Sequence, residues 1–323
     1  MNRFLILLKR EFWEHKGGML WAPLVVGAVM LGIGTLSALL GPLAGGRGGL
    51  RINGQPLLLE GDWLAGPAQQ AIADNLALAV VPAMVPFGLT LALVLFFYTL
   101  GALYDERRDR SLLFWKSMPV SDAATVLSKL ATALLLAPLI AAAIGLTVGL
   151  LIALGAAIGL AALGASAVLP SLLTNPDIYL APLAVAALLP VFALWALPSV
   201  AWCLAISAWA RRAPFLWAAG LPLGLAVLLS WQEALLDRRF GAEWFWENVV
   251  ARLFGGFVPG LWFAFSKEWE SLTTPEPASQ GLPELIVMSY ATLAEPALWI
   301  GLAIGLMLVG VTVRLRRWRE DAA

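Results

Sequence analysis

This sequence is short of charge, and it has a single histidine and a single cysteine. Asp, Glu, Lys and Arg together make up 13% of its residues, against about 25% in an ordinary soluble domain. With 60% hydrophobic residues and a mean hydropathy of +0.83, that scarcity excludes a water-soluble globular protein. The lone His15 leaves no recognisable ligand set for a metal. The lone Cys203 excludes a disulfide within the chain and reads as a small apolar filler beside Trp202 and Leu204. No G-x-x-x-x-G-K-[ST] sequence is present, and no polar stretch is long enough for an ATPase domain. No G-x-S-x-G is present either, and the apolar runs carry no acid–base pair for nucleophilic chemistry. The reading is therefore a non-catalytic chain with no cofactor, metal or nucleic-acid partner of its own. An ion-coupled carrier would lack its usual intramembrane ionisable groups: Lys129 and Glu295 lie close enough to the interfaces to snorkel.

What the sequence does have is long apolar runs rich in Leu and Ala, each able to satisfy its backbone in lipid as a helix. They predict an all-α integral membrane protein with six transmembrane helices, at about 19–40, 77–104, 123–156, 181–209, 214–231 and 294–313. The third run is longer than one crossing requires and so tilts or projects into Gly155–Pro170. Residues 1–18 read as an amphipathic interfacial helix, with Leu5, Leu8 and Phe12 on one side and Arg3, Arg10 and Glu14 on another. Residues 19–323 form a single six-span domain. Fifteen of the 21 Lys and Arg fall on the side of the termini and the loop 105–122. The other six (Arg47, Arg51, Arg238, Arg239, Arg252 and Lys267) fall on the opposite side, so the positive-inside rule predicts N-in, C-in.

Loop 105–122 reads DERRDRSLLFWKSMPVSD, a charged island between two runs that hold one charge, Lys129. Asp109 or Ser111 can cap a short helix, Leu112, Leu113 and Trp115 give it an apolar surface, and Pro119 cannot continue it. Ser121 then caps the third span. A topological loop needs the basic residues but not Leu-Leu-Phe-Trp in water, although those aromatics would also anchor in the membrane interface.

The island, with its acidic-Arg start at Glu106-Arg107, Ser111-Leu112-Leu113 and Ser117-Met118-Pro119-Val120-Ser121, resembles the cytoplasmic loop of ABC transporter type-2 permeases, the membrane subunits of bacterial exporters. The Lys9–Phe12 core of the N-terminal helix, six spans and a long outer segment between spans five and six match the same plan. Arg110 stands where many members have Gly. The resemblance implies that Glu106, Arg107, Ser111, Leu112, Leu113, Trp115 and Pro119 couple to a separate cytoplasmic ABC ATPase, which binds the ATP and Mg. It also implies a second permease copy or related permease, a place in the inner membrane, and export of an amphipathic or hydrophobic substrate such as a drug, peptide or lipid. The competing reading is a non-transporting assembly or sensor protein that recruits a partner through the same loop.

Two outer segments, 41–76 and 232–293, complete the plan. The first reads as a loop with a short helix or strand pair. The second is rich in Trp and Phe and suits helices dipping into the outer leaflet, a lid, or an interfacial belt. Trp195, Trp202 and Trp209, seven apart, share a face of the fourth span, as packing or as the lining of a pathway. Gly145/Gly149, Gly155/Gly159, Gly220/Gly224 and Gly301/Gly305 permit close helix crossings.

Overall fold

The computed structural model describes residues 3–40, 51–52, 55–56, 66–109, 120–238, 240–266 and 281–318. Among the described residues, six helices are long and apolar enough to cross a bilayer, which makes this a multi-pass membrane protein. They are Phe4–Ser37, Gly66–Arg108, Asp122–Ala162, Pro176–Trp209, Pro214–Leu236 and Pro296–Trp318.

The N-terminal helix α1 (Arg3–Lys16) is continuous with the first span, α2 (Ala22–Leu40), through a π-helical segment at Gly17–Trp21. The chain bends at His15, whose φ of −112° and ψ of 17° leave the helical region. Of the apolar side of α1, Leu5 is exposed while Leu8 and Phe12 are half-buried, and Ile6 and Trp13 are exposed beside it. The inward line is Leu7 and Glu11, four residues apart and both buried.

Proline shapes the spans without ending them. The π segment Gly17–Trp21 stands just before Pro23, and a second one, Thr132–Leu136, stands just before Pro138. Proline removes the N–H that the carbonyl four residues earlier would take, and a wider turn passes that defect while the helix goes on. The third span thus runs as α6 (Asp122–Ala131), the π segment and α7 (Ala137–Ala162). The second span is α3 (Gly66–Leu78), a 3-10 turn at Pro82–Met84, α4 (Val85–Gly101) and α5 (Tyr104–Arg108). It therefore begins inside the segment read from sequence as an outer loop. That loop also holds a two-residue antiparallel pair, β1 (Arg51–Ile52) with β2 (Gln55–Pro56).

The bundle has two apolar cores. The larger joins the middle of the second, third, fourth and sixth spans with Phe257, Trp262 and Phe263. The second joins Ile72, Ala73 and Ala77 of α3, Ala153, Ala157 and Leu160 of α7, Val168 and Leu172 of α8 (Val168–Thr174), and Ile178, Ala181 and Ala184 of α9 (Pro176–Trp209). The third span has 41 residues, about 60 Å of helix at ~1.5 Å per residue and twice a ~30 Å hydrocarbon layer. Its far end is occupied in this second core, which accounts for the excess length.

Glycine sets two of the helix crossings. Gly149 lies against the Val80 backbone carbonyl, and Gly305 against Leu197 and the Pro198 backbone. Their partners Gly145 and Gly301 also meet neighbours, Phe87 and Pro198. Gly155, Gly159, Gly220 and Gly224 meet nothing within 4 Å, so only half of the expected pairs mark a crossing among the described residues.

After α10 (Pro214–Leu236) the chain returns into the bundle as α11 (Ala242–Phe245), a π segment, α12 (Arg252–Gly255) and a 3-10 turn at Leu261–Phe265. The Arg252 carbonyl accepts a hydrogen bond from Ser199 Oγ at 3.2 Å. Ser199 is ten residues from the end of α9, so the returning segment sits beside the middle of the fourth span rather than at its tip. α13 (Leu282–Ala291) and a 3-10 turn lead to the sixth span, α14 (Pro296–Trp318).

Candidate functional site

Where the second and third spans meet the island, four elements bring their charges together. Glu11 on α1 and Lys129 on α6 are each only 1% exposed, and Lys129 Nζ lies 2.9 Å from Glu11 Oε1. The same ammonium is 3.0 Å from Glu106 Oε1 on α5. Arg316 of α14 reaches Glu106 Oε2 at 2.7 Å through Nη1 and Asp122 Oδ1 at 3.1 Å through Nε. Arg10 adds a longer contact to Glu106, 3.4 Å, and pairs with Glu14 at 2.7 Å. The Tyr98 hydroxyl donates to Glu11 Oε2 at 2.9 Å.

Charges removed from water persist only when paired and hydrogen-bonded, and here each buried ion has at least two partners. Glu11 and Glu106 balance Lys129 and Arg316, so the buried centre is neutral. Glu106 and Asp122 stand at the two ends of the island, and one guanidinium holds both.

A second junction lies beside it. The helix breaks between α4 and α5 at Ala102–Leu103, and Ser207 of α9 fills the gap. Its Oγ donates to the Leu100 carbonyl at 2.7 Å and accepts from the Leu103 and Tyr104 amides at 3.1 and 3.0 Å. Arg107 in turn donates to the Ser207 carbonyl and, at 2.9 Å, to the Ala210 carbonyl, satisfying acceptors that the end of α9 would otherwise leave open. Ser121 caps the third span as expected, accepting from the Ala124 amide at 3.2 Å.

Of the residues singled out in the island, Glu106 and Arg107 therefore point into the bundle. Ser111, Leu112, Leu113, Trp115 and Pro119 lie outside the described residues. Lys129 does not snorkel; it is enclosed and doubly paired. The first helix, through Arg10, and the sixth span, through Arg316, both meet Glu106.

The three tryptophans of the fourth span are engaged in packing. Trp195 donates to Thr292 Oγ1 at 3.2 Å, stacks on Phe265 at 6.2 Å and lies under the Arg252 guanidinium at 4.9 Å. Trp202 donates to the Ala218 carbonyl of α10 at 3.1 Å, and Trp209 meets Trp217 edge to face at 5.0 Å. Glu11, Glu14 and His15 bring ligand atoms within 4.8 Å of one another. Lys129 and Tyr98 already occupy the Glu11 carboxylate and Arg10 that of Glu14, while His15 Nδ1 lies 3.3 Å from the Glu11 backbone oxygen.

No family model, curated protein or solved structure matches this chain. Function must therefore be argued from the site itself. Sequence reasoning missed Glu11, Tyr98, Asp122 and Arg316 as members of one cluster, and Ser207 at the junction beside it. The available signal was an acid in line with Leu7 on α1 and a lysine inside an otherwise uncharged run.

Proposed function

We propose that this chain is the permease subunit of an ATP-driven exporter of the ABC type-2 kind. Loop 105–122 is cytoplasmic and carries the docking surface for a separate ATPase. The observation that carries this reading is the clamp of Arg316 on Glu106 and Asp122. A loop that merely linked two spans would not need its ends fastened to the last span and, through Lys129 and Glu11, to the first helix. With that wiring, a push on the loop is delivered to four of the six spans as one unit, the mechanical requirement for switching a pathway between faces. The sequence carries no G-x-x-x-x-G-K-[ST] motif, so the push is assigned to a partner that binds ATP and Mg. A second permease copy completes the pathway, and an amphipathic or hydrophobic molecule is the substrate class that suits spans with so few charges.

The test is association with an ABC ATPase co-expressed with the chain. Leu112→Asp with Leu113→Asp abolishes its co-purification while membrane insertion is unchanged. Undiminished association in the double variant removes the reading.

A further inference from the structure

The returning segment holds a cation in place and gives it no anion. Arg252, at the start of α12, is half-buried, and both its backbone and its side chain are fixed. Its carbonyl accepts from the Gly256 amide at 2.9 Å and from Ser199 Oγ. A Cβ on Gly256 would strike that hydroxyl, so the segment reaches α9 only with glycine there. The guanidinium lies over the Trp195 ring at 4.9 Å and the Phe265 ring at 5.9 Å, and Nη1 donates to the Ala297 carbonyl at 3.3 Å. Rings and a carbonyl orient a guanidinium without neutralising it.

Among the described residues no carboxylate oxygen lies within 4 Å of Arg252, that of Glu295 beside the Ala297 acceptor included. Nε and Nη2, the side edge of the fork, donate to no described residue. That edge is open rather than sealed: the fully enclosed side-chain atoms left without a partner among the described residues are Thr132 Oγ1 and Trp262 Nε1.

Depth indicates the ligand. Ala297 is 19 residues from Arg316 on α14, about 28 Å at ~1.5 Å per residue and close to a ~30 Å hydrocarbon layer. Arg252 therefore stands near the membrane interface opposite the charged centre. Trp299 on α14, and Trp244 and Trp246 on the returning segment, are exposed, as residues of an interfacial aromatic belt are. The oxyanion that a bilayer supplies at its interface is the phosphodiester of a phospholipid.

We propose that Arg252 is a phospholipid headgroup site, in which two phosphodiester oxygens accept from Nε and Nη2. A two-pronged donor edge matches two oxygens on one phosphorus, and the contact pairs a cation that otherwise meets the interface alone.

The test uses the full chain, purified in mild detergent, delipidated and titrated with palmitoyl-oleoyl phosphatidylglycerol or with palmitoyl-oleoyl glycerol, which keeps the chains and lacks the phosphodiester. Bound lipid is counted by native mass spectrometry. Neither an ATPase nor transport enters the readout, so its outcome is independent of the exporter reading. The wild-type chain holds one tight phosphatidylglycerol and binds the diacylglycerol about ten- to a hundredfold more weakly, the value of charge-assisted hydrogen bonds. Arg252→Gln binds the two lipids equally, and Arg252→Lys, a point charge without the fork, falls between Gln and wild type. Arg238→Gln, an exposed arginine on the same side, leaves the tight adduct in place. Wild-type affinity for phosphatidylglycerol in Arg252→Gln overturns the site, as does equal binding of the two lipids by the wild type. Displacement of the adduct by millimolar inorganic phosphate overturns the lipid as its ligand. Should Arg252→Gln fail to fold, Arg252→Lys decides: affinity equal to wild type overturns the fork.

Discussion

Lys129 carries the most consequence of any single residue in this chain. Its ammonium is enclosed between Glu11 and Glu106, so removing it leaves two carboxylates facing each other in a low-dielectric interior. Breaking a buried pair from one side typically costs about 3–5 kcal/mol, because the orphaned charge loses its partner without regaining water. Lys129→Met should therefore lower the thermal unfolding midpoint in detergent sharply. Adding Glu11→Gln should recover part of the loss, since the glutamine amide can still accept from Tyr98 without carrying a charge. A double variant no more stable than the single one would show that the pair is not energetically coupled.

Among the elements, the contact between α9 and α14 is sensitive to a change of side-chain volume. Gly305 sits against Leu197 and the Pro198 backbone, and a backbone does not give way as the tip of a side chain does. Gly305→Val should cost about 1–3 kcal/mol through overpacking and push the two spans apart. Gly159→Ala, where nothing lies within 4 Å, should be neutral in the same unfolding measurement. The two glycines look alike in the sequence, each four residues from another glycine on an apolar helix. The partner's position separates them, and a one-dimensional pattern does not contain it. The same holds for α1: an amphipathic pattern shows that one side is apolar. Only the packing against the spans shows that the buried line is Leu7 and Glu11 and so carries an acid.

At the scale of the whole molecule, the charged centre makes one body of the first helix and the ends of the second, third and sixth spans. If loop 105–122 receives force from an ATPase, Arg316 is the residue through which the last span feels it. Arg316→Gln should leave ATPase association intact while reducing substrate-stimulated ATP hydrolysis, because the docking surface is untouched and the link to α14 is weakened. Full stimulation in Arg316→Gln, measured in proteoliposomes, would rule out this route. The distal end of the molecule is built differently. There α3, α8, the end of α7 and the start of α9 form a core of buried apolar residues. The molecule thus fastens one end by ion pairs and the other by apolar packing.

Class and element type follow from composition and periodicity, which are local quantities. Long uncharged apolar runs must be helical spans in lipid, and Ser121 followed by Asp122 marks the start of one of them. The charge cluster was not legible in the same way. Glu11, Glu106, Asp122, Lys129 and Arg316 are spread across more than 300 residues, and each taken alone looks like an interfacial charge of the kind that sets topology. Burial separates a paired ion from a solvated one, and burial depends on which helices pack together. That is why Lys129 reads as snorkelling from the sequence and proves to be enclosed, and why the charged start of the island turns out to be its anchor to the rest of the bundle.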